Sequence, residues 1–72
     1  MTNTMLTQAM YYLYAERDGT YRYIGRFSSM GEAASCVELS EEADVWPEGF
    51  DAVLIDIAAC AVWVYASTWE RV

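Results

Sequence analysis

Residues 10–27 read MYYLYAERDGTYRYIGRF. Two runs dense in Tyr, Leu, Ile and Phe, Met10 to Glu16 and Tyr21 to Phe27, flank Arg17-Asp18-Gly19-Thr20. Asp-Gly between two such runs predicts a β-hairpin closed by a two-residue type I′ turn, because both central residues of that turn need positive φ. The implied register sets Tyr14 opposite Tyr23, Leu13 opposite Ile24, Tyr12 opposite Gly25 and Met10 opposite Phe27. One face then carries Met10, Tyr12, Tyr14, Tyr21, Tyr23 and Phe27. The other carries Tyr11, Leu13, Ala15, Arg22, Ile24 and Arg26. Both faces hold apolar material, so the pattern alone leaves open which of them meets the rest of the core.

Immediately after the hairpin comes Ser28-Ser29-Met30-Gly31-Glu32. Ser29 can cap free helix N–H groups while Glu32, three residues on, reaches back as the second half of a capping box. Met30, Ala33, Ala34 and Val37 then recur at i, i+3, i+4 and i+7, an inward stripe, with Glu32, Ser35, Glu38 and Glu42 pointing outward. The helix must end before Pro47, and Ser40 to Ala43 suits either its last turns or a fresh cap. An acidic loop, Asp44 to Gly49, follows, with Trp46 beside Pro47.

Phe50 to Ile57 and Ala61 to Ser67 are β-branched and aromatic. Val53, Ile55 and Ile57 share one side of the first run, and Val62 and Val64 oppose Trp63, Tyr65 and Trp69 in the second. The connection Ala58-Ala59-Cys60 lacks Gly, Asn or Pro, so a second hairpin and a helix through residues 58–69 both remain open there. The expected architecture is α+β: a four-stranded antiparallel sheet with one helix, in the order β-β-α-β-β, forming a single small domain over residues 1–72.

An apolar fraction of 56% with three Trp, six Tyr and two Phe belongs to a chain that folds, not to a disordered acidic tail. Residues Met1 to Ala9 lack the basic and apolar regions of a secretion signal, so a cytoplasmic location is expected. The stretch Ala52 to Ala66 is interrupted by Asp56 and falls short of the roughly 20 residues of a membrane span. Cys36 and Cys60 have no second pair and no histidine to complete a zinc site, and they read as two small buried apolar thiols.

With no histidine and no lysine, the chain lacks the groups that most often move protons near neutral pH. Ser-His-Asp, Cys-His and HExxH constellations are impossible, and none of Gly19, Gly25, Gly31 and Gly49 belongs to a phosphate-cradling loop. No catalytic residue, metal ligand or cofactor site is assigned. Asp44, Glu48 and Asp51 supply oxygen ligands, but the alternating acids and central Gly of an EF-hand are absent, and the loop reads as solvated. Aromatic residues interleaved with Arg22 and Arg26 suit a single-strand stacking platform. A net charge of −7 argues against direct nucleic-acid binding.

From Phe27 to Glu70 there is no lysine or arginine, while Glu32, Glu38, Glu41, Glu42, Asp44, Glu48, Asp51, Asp56 and Glu70 are all acidic. Carboxylates stand in for phosphate oxygens, and the Arg and Lys forks that grip a DNA backbone grip them equally well. Placed on the expected fold, Glu32, Glu38, Glu41, Glu42, Asp44, Glu48 and Asp51 form the candidate partner-binding surface, directed at a basic nucleic-acid-binding protein or complex. In length, absence of lysine, acidity and element order, the chain resembles the small acidic phage-encoded anti-CRISPR proteins of type I systems. That resemblance covers the whole profile and rests on no motif. It implies a cofactor-free inhibitor, monomer or homodimer, whose acidic surface mimics DNA and blocks the DNA- and PAM-binding groove of a CRISPR effector complex. The other expectation is a protein–protein interaction or homodimer module using exposed Trp46, Trp63, Trp69 or the tyrosine face, with acidity serving solubility alone.

Overall fold

A computed structural model describes residues 10–72 of the chain. Among these residues the order is β1 (Tyr11–Arg17), β2 (Thr20–Phe27), α1 (Met30–Glu42), β3 (Asp51–Asp56), β4 (Ala61–Tyr65) and β5 (Trp69–Arg71). The class is α+β as expected, but the antiparallel sheet has five strands rather than four, arranged β2-β1-β3-β4-β5. The chain crosses from the β2 edge through α1 and returns beside β1.

The Asp18-Gly19 turn forms as its chemistry dictates, with φ of 52° and 83° at the two central residues. Glu16 reinforces it by accepting the Gly19 N–H at 2.9 Å. From the turn outward the expected register holds as far as Tyr14 opposite Tyr23, and then slips by one, so that Leu13 pairs with Gly25, Tyr12 with Arg26 and Tyr11 with Phe27. The expected Leu13–Ile24, Tyr12–Gly25 and Met10–Phe27 pairs are therefore replaced. Ile24 is the additional residue of a β-bulge, and a bulge exchanges the faces of everything beyond it. Phe27 moves off the tyrosine face to pack at the margin of the core, and Arg26 joins the tyrosines in its place.

The core settles which hairpin face is inward. Leu13, Ala33, Val37, Ala52 and Leu54 form one buried cluster between sheet and helix, with Leu13, Ala33 and Leu54 at zero exposure. Leu13 pairs with Leu54, and Ala15 with Ala52, so Tyr11, Leu13 and Ala15 line the helix side. Each fully buried Leu contributes about 1.5–3 kcal/mol relative to an exposed one. The small Ala33 lets the helix lie close to the sheet, while Met30 and Cys36 pack around it.

Both ends of α1 are capped. Ser29, extended at φ −148° and ψ 156°, accepts the Glu32 N–H through Oγ at 3.1 Å. The reciprocal half of the capping box differs from expectation, since Glu32 Oε1 accepts from the Ser28 hydroxyl instead. At the other end Asp44 adopts φ 61°, its N–H donating to the Glu41 carbonyl while the Val45 N–H donates to that of Ser40. This pair of bonds is a Schellman motif with Asp in the place usually taken by Gly. Ser40 to Glu42 thus belong to the last turn of α1.

Residues 58–69 resolve into turn, strand and turn. Asp56 Oδ1 accepts the Ala59 N–H at 3.2 Å and Cys60 takes φ 52°, so an Asp side chain supplies the turn chemistry that Ala58-Ala59-Cys60 itself lacks. Cys60 is consequently exposed, contrary to the expectation of two buried thiols, whereas Cys36 is half-buried against the core. A second tight turn, with Ser67 at φ 72° and the Ala66 N–H donating to Thr68, returns β5 alongside β4. No described helix is long and apolar enough to cross a membrane.

Candidate functional site

The seven candidate carboxylates are all exposed but do not form one surface. Glu38, Glu41 and Glu42 stand exposed at i, i+3 and i+4 in the C-terminal half of α1, where 1.5 Å of rise per residue spaces Glu38 and Glu42 about 6 Å apart along the axis. Asp44 follows directly at the Schellman turn. Glu41, Asp44 and Glu48 then line a shallow cleft of about 230 Å³ together with Trp46, Pro47, Gly49 and Phe50. Two sequence candidates fall away from this group. Glu32 lies at the opposite end of α1, engaged with Ser28. Asp51 pairs with Glu16 on β1, on the side of the sheet facing away from α1.

The cleft is held from within by the chain's own cations and rings. Trp46 Nε1 donates to the Phe50 carbonyl at 3.0 Å, which closes the loop on itself. The Arg22 guanidinium stacks over the Phe50 ring at 4.8 Å, a cation–π contact made possible because Arg22 pairs with Ala15 on the helix side of the sheet. Gly49, at φ 82°, leaves room for Arg17, whose guanidinium nitrogen would lie 3.3 Å from any added Cβ. Among the described residues the ion pair is Arg17 with Asp18, 3.9 Å apart and well exposed, and it neutralises none of the seven candidates.

Glu38 is tied to the sheet, because it accepts a hydrogen bond from the Tyr65 hydroxyl of β4. That bond holds the Tyr65 phenol above its ordinary value of 10.0, with burial and the nearby charges of Glu38 and Glu41 acting in the same direction. Tyr65 is the residue of this surface that sequence reasoning missed. Only the sheet register, which carries Tyr65 to the helix side beside Trp69, could have placed it. Among the described residues no group of three His, Cys, Asp or Glu side chains is arranged to hold a metal ion.

The tryptophans contradict the expectation of exposed aromatic anchors. Trp46, Trp63 and Trp69 all pack against the core, and Trp69 Nε1 donates to the Met30 carbonyl at 3.0 Å, fastening β5 to the start of α1. The tyrosine face is a different matter. Tyr12, Tyr14, Tyr21 and Tyr23 interlock, with Tyr14 edge-on to Tyr21 and Tyr23 at ring separations of 6.0 and 5.6 Å. Tyr21 and Tyr23 nevertheless remain 57% and 56% exposed. Comparison of the chain with protein-family models, with curated proteins and with solved structures finds no match to any of them.

Proposed function

We propose that this chain is a non-enzymatic inhibitor whose acidic helix end and loop, Glu38, Glu41, Glu42, Asp44 and Glu48, occupy a basic nucleic-acid-binding groove in place of DNA. The narrow form, taken from the anti-CRISPR resemblance, is a block of the PAM-recognising groove of a type I effector complex. One observation carries the reading: the carboxylates gather where they cost the fold stability. Glu41, Glu42 and Asp44 crowd the C-terminal end of α1, where the helix dipole is already negative, and the last turn contains no basic residue. Asp44 in addition holds a left-handed conformation that Gly would adopt at lower cost. Carboxylates serving solubility alone gain nothing from that position and would be favoured at the other end of α1. A rigid, capped element presenting charges about 6 Å apart pre-orders what an Arg or Lys cluster would grip.

Competition is the direct test. Titrating the protein against a purified type I effector complex and its PAM-bearing target duplex should displace the DNA at low salt. Affinity for the effector should fall on the order of a hundredfold between about 0.1 and 0.5 M salt. A variant with Glu38, Glu41 and Glu42 changed to Gln and Asp44 to Asn should keep its circular dichroism spectrum and lose the displacement. Unchanged binding by that variant at both salt concentrations would falsify charge mimicry, and absence of competition with any type I effector would remove its narrow form.

A further inference from the structure

We infer that Arg17 and Arg22 are positioning residues for the acidic surface: packed on Gly49 and Phe50, they hold the turn that presents Glu48 beside Glu41 and Asp44 without neutralising any of the three. This role rests on the inhibitory reading above, and it occupies two of the four cations of a chain whose net charge is −7.

The turn itself is short and sharply defined. The Phe50 N–H donates to the Pro47 carbonyl at 3.2 Å, so residues 47–50 form a β-turn with Glu48 and Gly49 at its corner. Gly49, at φ 82°, supplies the positive φ that a type II turn requires at its third residue, and Glu48, the second, is exposed. Among the described residues, the hydrogen bonds of residues 44–49 run to Phe50 or back to Ser40 and Glu41, so none of them ties the loop to the hairpin.

What reaches the turn from the hairpin is a pair of guanidinium groups. Arg22 pairs with Ala15, and Arg17 lies two residues beyond Ala15 on β1, so strand alternation puts both on the helix side of the sheet. The Arg22 guanidinium lies over the Phe50 ring at 4.8 Å, and an Arg17 nitrogen would meet a Cβ added at Gly49 at 3.3 Å. The third and fourth residues of the turn are thereby held from one side.

Neither arginine acts as a counter-ion to the loop. Among the described residues the ion pair is Arg17 with Asp18, inside the hairpin, and no loop carboxylate is paired with either guanidinium. Cations placed to offset the charge of Asp44 and Glu48 would fork onto those carboxylates, the strongest contact open to a guanidinium. Arg17 and Arg22 pack instead on a residue without a side chain and on a ring. Such contacts fix a backbone and leave its carboxylates free for an external cation.

Two measurements on the full chain test this. In the protein alone, backbone relaxation should give Glu48 and Gly49 order parameters near 0.85, falling below about 0.6 when Arg17 and Arg22 are both changed to Ala. Circular dichroism checks folding, and Arg22→Ala alone gives the same readout if the double variant does not fold. Unchanged order would overturn the inference. The second measurement is displacement of the PAM-bearing duplex from the type I effector complex. Charge alone predicts tighter binding by the double variant, which has lost two cations. Positioning predicts the opposite, a loss of at least about threefold, the equivalent of one exposed cation–π contact. That loss should vanish in a chain already carrying Glu48→Gln. Tighter binding, or a loss that persists in full without Glu48, would overturn the positioning role. A parent that displaces no DNA would overturn the inhibitory reading alone, since the order parameters need no partner and decide by themselves whether the arginines hold the turn.

Discussion

Asp44 carries two penalties at one position, a backbone φ of 61° and a carboxylate at a helix C-terminus. Replacement by Gly relieves both, and replacement by Asn relieves the charge while tolerating the left-handed conformation. Asp44→Gly is accordingly expected to raise stability by about 1 kcal/mol and Asp44→Asn by roughly half that, read as shifts of the urea midpoint at constant slope. Tyr65 gives a pH-dependent counterpart. Its phenol is held up by the bond to Glu38, so its contribution to stability is complete below the unfolded value of 10.0 and is lost as pH rises through the folded one. In urea titrations the advantage of the parent over Tyr65→Phe should be constant up to about pH 9 and shrink above about pH 10. An advantage that is flat across that range would show the Tyr65–Glu38 bond to be absent in solution.

Element by element, the readable parts were those fixed by short-range chemistry. Asp18-Gly19 names its turn, and Ser29 with the stripe Met30, Ala33 and Val37 names the helix. The bulge at Ile24 could not be read, because a one-residue slip leaves local composition unchanged and is decided by whether Phe27 gains more on the helix side of the sheet. The turns at Cys60 and Ser67 escaped for another reason: each puts a non-Gly residue at positive φ, and the support comes from Asp56 or from the β4–β5 pairing rather than from a turn residue in place. β5, three residues long, offers too few positions to show alternation. Within α1 the same dipole acts with opposite signs at its two ends. Changing Glu41 and Glu42 together to Gln should stabilise the fold by roughly 1 kcal/mol, whereas Glu32→Gln, which removes the first-turn acid and weakens the bond to Ser28, should destabilise it by about half as much. Equal effects at both ends would mean that the cost attributed to the C-terminal cluster does not exist.

At the scale of the whole molecule, the sequence delivered the charge and the structure divided it. Glu38, Glu41, Glu42, Asp44 and Glu48 stay on one surface. Asp51 goes to the other side because strand alternation places it with Val53 rather than with Ala52, and Glu32 stays at the far helix end. The sheet order, which decides that separation, depends on β3 joining β1 rather than the β2 edge, a choice that no local pattern encodes. What the surface retains is self-repulsion, since among the described residues the ion pair is the exposed Arg17–Asp18 contact and a net charge of −7 is otherwise opposed only by solvent. Screening should therefore stabilise the fold. The melting temperature is expected to rise by about 4–8 °C between roughly 0.01 and 0.5 M sodium chloride, the equivalent of about 1 kcal/mol in a chain of this size. Calorimetry at matched protein concentration checks it, and the neutralised variant should show a smaller rise. Opposite salt responses of stability and binding would then mean that any affinity lost at high salt is lost by a folded protein, through screening of the carboxylates themselves.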